Sequence, residues 1–168
     1  MKRILLFWFT TLFVTTILHA QTSSEVEKFI KKYEEQGNYV EMSKSYLEGI
    51  SAGYKREVSL GLITRGERVA ISPGSILLSF KSLTVPTRYW DELQKAIERD
   101  KYERQNYSRK GEMIMAQYNK QQENTTDCLL INKSSTEVSI IFMIGEKITG
   151  SDFIGYLQLL QNNSLFYK

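Results

Sequence analysis

The strongest hydrophobic pattern in this chain is the apolar run from Glu137 to Ile144. A second run, 127–132, precedes it with only four polar residues between them, and a third run covers 112–118. Short apolar segments separated by polar turns predict neighbouring antiparallel strands. We therefore predict a three-stranded meander near the end of the chain, followed by a helix over 152–160 with Ser151 as its N-cap.

The last strand of this predicted meander is apolar on both sides. By the two-residue period of a strand, its alternate residues share one face: Val138, Ile140, Phe142 and Ile144. The opposite face carries Ile141 and Met143, and the first strand of the meander adds Met113 and Met115. Two explanations stay open: a second layer covers this side, as soluble monomers favour, or these four adaptable side chains form a contact surface.

Apolar residues recur at helical spacing in three further segments: 25–36, 43–50 and 86–102. Ser23 or Ser24 can cap the first helix, and Gly37 ends it. The charged stretch that runs on to Lys110 reads as the solvated outer face and exit of the third helix.

Further strands are predicted at 39–42 and 76–80, whereas 58–63 and 68–71 are weaker candidates for edge strands. The sequence Ser72-Pro-Gly-Ser75 predicts a turn. The expected fold class is α+β. We expect an antiparallel sheet, made of the C-terminal three-stranded meander plus one or two further strands, packed with three to four helices.

The first twenty residues have the layout of a secretory signal peptide. Lys2 and Arg3 precede an apolar run of 15 residues, which is shorter than the roughly 20 residues that span a bilayer. Polar residues begin at Gln21. We therefore expect a signal peptide over 1–20, cleavage between Ala20 and Gln21, and one exported domain over 21–168. That domain would be periplasmic or extracellular, with no stable membrane anchor.

Removal of this segment changes both the charge and the available chemistry. The full chain has 22 basic and 19 acidic residues. Without Lys2 and Arg3 the formal net charge falls from +3 to about +1, which argues against a nucleic-acid partner. The single histidine, His19, is removed as well, and Cys128 is the one cysteine. Ser-His and Cys-His nucleophile pairs, and zinc sites built on His or several Cys, are therefore excluded from residues 21–168.

Four segments in order resemble a family of small exported Bacteroidota proteins known as a domain of unknown function. They are Val40–Leu47, Ile76–Phe80, the Met113–Ile144 meander and Gly150–Ile154 at the start of the final helix. The resemblance covers most of residues 21–168, although 54–75 departs from the family pattern. It implies a compact α+β domain with an antiparallel sheet, and it implies no catalytic residue.

These observations favour a non-enzymatic binding or scaffold domain of the cell envelope, with no catalytic residue, cofactor or metal. The expected partner is an envelope protein or a glycan, and the expected contact surface is Met113, Met115, Ile141 and Met143. The alternative is a His-free hydrolase that depends on carboxylates, such as a glycosidase. Its best candidates are Asp127 and Glu137, at opposite ends of the predicted hairpin.

Overall fold

The computed structural model describes residues 24–59 and 71–162. The predicted signal peptide over 1–20 and its cleavage site at Ala20–Gln21 lie outside the described residues. The candidate edge strand at 68–71 lies almost wholly outside them as well.

Helices and strands are interleaved in the first part of the chain, and strands follow one another in the second. The helices are α1 (Glu25–Tyr33), α2 (Lys44–Ser59), α3 (Trp90–Arg99) and α4 (Gly150–Asn162), with a 3₁₀ turn at Thr87–Tyr89 before α3. The strands are β1 (Asn38–Met42), β2 (Ile76–Pro86), β3 (Glu103–Lys110), β4 (Met113–Gln121), β5 (Thr125–Lys133) and β6 (Glu137–Glu146).

The described strands form one antiparallel sheet in the order β1-β2-β6-β5-β4-β3. The predicted α+β class, with an antiparallel sheet and three to four helices, is confirmed: the described residues form four α-helices and a sheet of six strands, against the four to five strands expected. The meander has four strands instead of three, because β3 precedes the three predicted ones. Strand β6 lies between β2 and β5, so the most apolar strand of the sequence occupies the middle of the sheet.

The first face of the sheet packs against α1 and α3. Phe29 and Ile30 of α1 and Leu93 of α3 form one buried cluster with residues of β2, β5 and β6, including Phe142. The predicted inward face of β6 is confirmed, because Val138, Ile140 and Phe142 are fully buried there. This face is the larger part of the hydrophobic core.

The second face packs against α2 and α4. Leu47 of α2 and Phe153 and Tyr156 of α4 are buried with Phe80 and Met143 of the sheet. Both faces of the central strands are therefore covered, which was the first of the two explanations for the apolar second side of β6.

The prediction of a helix from Pro86 to Tyr102 with a solvated exit to Lys110 is wrong at both ends. Strand β2 continues to Pro86, α3 spans only Trp90–Arg99, and Glu103–Lys110 is a strand. All eight residues of β3 are exposed, so the sequence shows no alternation of apolar and polar positions. Gly111, with φ +62°, is the first of two loop residues that join β3 to β4; a type II′ hairpin turn requires positive φ at this position.

Two other local predictions need correction. Val58 and Ser59 belong to α2, so the candidate strand 58–63 is wrong for these two residues, and its remainder lies outside the described residues. Helix α4 is capped by Thr149 instead of Ser151. The Thr149 Oγ1 atom accepts a bond from the Asp152 amide at 3.4 Å, and the Asp152 carboxylate accepts one from the Thr149 amide at 2.7 Å. This reciprocal pair is a capping box.

The predicted Ser24 cap and the turn at 72–75 are confirmed. The Ser24 Oγ atom accepts a bond from the Glu27 amide at 3.1 Å. The start of α1 is also bound from outside, because the Asp100 carboxylate accepts bonds from the amides of Glu25 and Val26, each at 2.9 Å. The Asp100 carboxylate thereby fixes the start of α1 to the end of α3.

Phe142→Ala should cost about 3–5 kcal/mol of stability, because Phe142 is fully buried in the middle of the first-face core. Val40→Ala is the control: Val40 is 43% exposed on edge strand β1, so its loss should stay below about 1 kcal/mol. Urea unfolding of both variants measures the difference. Equal, small losses would contradict the assignment of the core.

Candidate functional site

A groove lies on the second face of the sheet, between α4 and the outer strands. It encloses about 720 Å³, within the range of roughly 300–1,000 Å³ typical of ligand pockets. Its lining comes from β3, β4, β5, β6 and α4: Asn106, Tyr107, Ser108, Met115, Ala116, Gln117, Leu130, Ile131, Asn132, Ser139, Ile141, Ile154, Leu157 and Gln161.

The groove exists because the helices cover only part of the second face. Helices α2 and α4 pack over residues of β2, β5 and β6 such as Phe80, Cys128 and Met143. Farther out on the same face, Met115 of β4 remains 58% exposed. The uncovered part of the sheet is therefore the floor of the groove, and α4 is one of its walls.

The lining combines an apolar floor with neutral polar groups. Leu130, Ile141 and Leu157 are half-buried and contribute apolar surface. Asn106 donates a hydrogen bond to Gln117 Oε1 at 3.1 Å, so the side-chain amides of these two residues hold each other in position. Among the described residues, none that lines the groove is charged. Such a lining can hold a ligand through apolar contacts and hydrogen bonds to neutral groups.

The structure separates the four residues of the predicted contact surface. Met115 and Ile141 both line the groove. Met113 is 50% exposed on the same strand as Met115 but lies outside the lining. Met143 is fully buried in the cluster beneath α2 and α4. It therefore belongs to the core, and a contact surface that includes Met143 is wrong in that respect.

Sequence reasoning missed the part of the groove that β3 provides. Asn106, Tyr107 and Ser108 lie in a segment that the sequence predicts to be the exit of a helix, whereas they belong to β3. It also missed the amides of Gln117 and Asn132, although the two-residue period places Gln117 on the side of Met115. The two-residue period is the one sequence signal that could have identified these amides as neighbours of Met115.

Of the two candidate carboxylates, Asp127 is the buried one. It is 1% exposed and lies on the first face, so it does not reach the groove. Its Oδ2 atom accepts bonds from Gln122 Nε2 at 2.7 Å and Tyr102 Oη at 3.4 Å. Its Oδ1 atom has no hydrogen-bond partner among the described residues. Burial raises the pKa of Asp127, and the bond from Gln122 and the charge of Lys120 only partly oppose that rise.

Asp127 and Glu137 do not form a catalytic pair. Asp127 pairs with Ile144 across the hairpin, and Glu137 lies seven residues from Ile144 along β6. At about 3.3 Å per residue, the backbone positions of Asp127 and Glu137 are roughly 23 Å apart, which is too far for their side chains to meet. Paired glycosidase carboxylates are about 5–10 Å apart. Glu137 is exposed, and its amide donates to Ser134 Oγ at 3.1 Å in the turn between β5 and β6.

The described ranges, 24–59 and 71–162, contain no group of three or more His, Cys, Asp or Glu side chains that could hold a metal ion. None of the helices in these ranges is both long and apolar enough to cross a membrane.

Comparisons with protein-family models, with curated proteins and with solved structures give no match to this chain. The resemblance to an exported Bacteroidota family therefore stays a prediction.

Asp127→Asn should stabilise the protein at pH 7 by about 1–2 kcal/mol, because it removes a buried charge with an unpartnered oxygen. The pKa of Asp127 is raised in the folded state. Asp127 therefore contributes its full stability to the folded state only below its unfolded pKa, near 3.9. This contribution is lost as the pH rises through the folded pKa. The stability gap between variant and wild type should thus grow from acid to neutral pH. A gap that is constant from pH 3.5 to 8 in urea melts would contradict this assignment.

Cys128 should react very slowly with a thiol reagent in the native protein. It is fully buried, and burial raises its pKa to about 12, so very little of the reactive thiolate is present at pH 8. Ser135→Cys provides the control, because Ser135 is exposed in the turn before β6. This variant should show one fast and one slow thiol. Two fast thiols, or a disulfide-linked dimer through Cys128, would refute the burial of this side chain.

Proposed function

We propose that this protein is a non-enzymatic binding module of the cell envelope and that it binds its ligand in the groove on the second face. Export is proposed from the layout of residues 1–20, in which a short charged segment, an apolar run and an abrupt polar boundary follow one another. The groove supplies the binding site that such a module requires.

The observation that carries the proposal is the uncovered apolar floor of the groove. Met115 keeps 58% of its surface exposed, although burial of an exposed apolar side chain is favourable by about 25 cal/mol per Å². It lies beside the half-buried Ile141 and Leu157 in a concave site of about 720 Å³. A concave site of this size, with an apolar floor and a few neutral polar groups, is the usual form of a ligand-binding site.

The chemistry of the lining favours binding over catalysis. Ser108 and Ser139 supply hydroxyl groups, but none of the described residues that line the groove has a charged side chain to act as their base. Asp127 lies on the other face of the sheet. A hydroxyl nucleophile needs an adjacent base to become reactive at neutral pH. The hydrolase alternative therefore has no support from this site.

Ile141→Glu and Leu157→Glu should each weaken binding of Nile red, an uncharged apolar dye, by at least about tenfold. Each places a charge against the apolar floor, and tenfold corresponds to about 1.4 kcal/mol. Val40→Glu is the matched control, because Val40 is 43% exposed on β1 at the opposite edge of the sheet. Fluorescence titration measures the affinity, and urea melts establish that each variant is folded.

Dye binding that responds equally to all three substitutions would overturn the groove as the binding site. The non-enzymatic assignment has a separate test, a screen of glycan, ester and peptide substrates. Turnover that disappears in Asp127→Asn or Glu137→Gln would overturn that assignment.

A further inference from the structure

We propose that the partner is an extended polypeptide segment in which acidic and apolar residues alternate, and that this segment adds to β3 as a further strand. The inference rests on the groove proposed above and specifies the chemistry of its ligand. Three features of β3 carry it: its free outer edge, the cations on its first-face side and the groove on its second-face side.

Strand β3 is the last strand of the sheet on its side. In the described part of the chain, β4 is the one strand that pairs with it, and no turn or loop backbone bonds to its outer edge. All eight of its residues are exposed. An edge strand with free N–H and C=O groups is the surface to which an extended peptide adds through main-chain hydrogen bonds.

The first-face side of β3 is cationic. Its register with β4 places Arg104, Tyr107 and Arg109 on that side, opposite Tyr118, Ala116 and Ile114. The Arg104 guanidinium lies 4.8 Å from the centre of the Tyr107 ring. Neither arginine forms an ion pair with any described residue. Arg109 Nε donates a hydrogen bond to the Gly111 carbonyl at 3.2 Å, which leaves its terminal amino groups for a partner. Carboxylates on an added strand complement these groups and the Arg104 guanidinium.

The second-face side of β3 adjoins the groove. Asn106 and Ser108 lie opposite Gln117 and Met115, and all four line it. Successive side chains of an added strand point to opposite faces, about 4.8 Å beyond β3. One set would stand beside the arginines, and the other would stand at the open side of the apolar groove. For this reason we expect acidic and apolar residues to alternate along the partner segment.

The same features disfavour a second copy of this chain as the occupant. Cations on an edge strand commonly oppose pairing between identical edges. A second β3 would bring its own Arg104 and Arg109 to the contact. An acidic strand meets no such repulsion, so charge distinguishes the partner from a self-contact.

The test uses a fluorescein-labelled peptide of eight residues that alternates Glu and Val, measured by fluorescence anisotropy. Binding is expected to fall at least about tenfold for three altered peptides. In the first the order is changed to Glu-Glu-Val-Val, in the second Lys replaces Glu, and in the third both alternate sets of backbone amides are N-methylated, so that the set facing β3 is included. The first change removes the two-residue period, the second the charge match, and the third the main-chain donors.

Arg104→Glu combined with Arg109→Glu should weaken the alternating peptide at least about tenfold. The control, Lys31→Glu with Lys95→Glu, has the same change in net charge at exposed positions on α1 and α3 and should bind normally.

Equal binding of the N-methylated peptide would overturn strand addition. Binding of polygalacturonate but not of the peptide would replace the polypeptide with an anionic glycan. If Nile red binds and no peptide does, this inference fails while the groove stands; if neither binds, both fail.

Discussion

The whole structure depends on the burial of one strand on both of its faces. Phe142 and Met143 are consecutive residues of β6, they point to opposite sides of the sheet, and both are fully buried. Each face of that strand therefore requires its own layer of helices: α1 and α3 on one side, α2 and α4 on the other. Because hydrophobic burial is the main favourable term in folding, the packing of the four described helices follows from this strand.

The two layers are unequal, and this inequality produces the candidate site. On the first face, even Ile114 of β4 is buried, and Tyr118 packs against the main cluster. On the second face, cover by α4 stops short of Met115. The sheet is wider than the helices that cover this side, so the same strands are core on one face and an accessible floor on the other.

Most of the core could be predicted from the sequence, whereas the edge and the groove could not. The two-residue period identifies Val138, Ile140 and Phe142, and the helical period identifies Phe29 and Leu93, because each pattern reports local burial. Strand β3 has no buried side chain, so its pairing with β4 leaves no such trace. The groove depends on how far α4 extends over the sheet, which is a tertiary relation that no local pattern encodes. Met143 is an example. The two-residue period places it on the second face of the sheet, but it does not predict which helices cover that face.

The strand order has a consequence for the sequence of folding events. Strands β3 to β6 pair with their immediate neighbours in the chain, but β2 pairs with β6, from Pro86 with Glu137 to Ile76 with Glu146. Local contacts close faster than distant ones. The C-terminal meander can therefore assemble first, and until β2 arrives its most hydrophobic strand is a bare edge, the feature that promotes intermolecular pairing. A chain in which only the meander has formed is therefore the form most exposed to aggregation. Pairing of β2 with β6 covers that edge and ends the exposure.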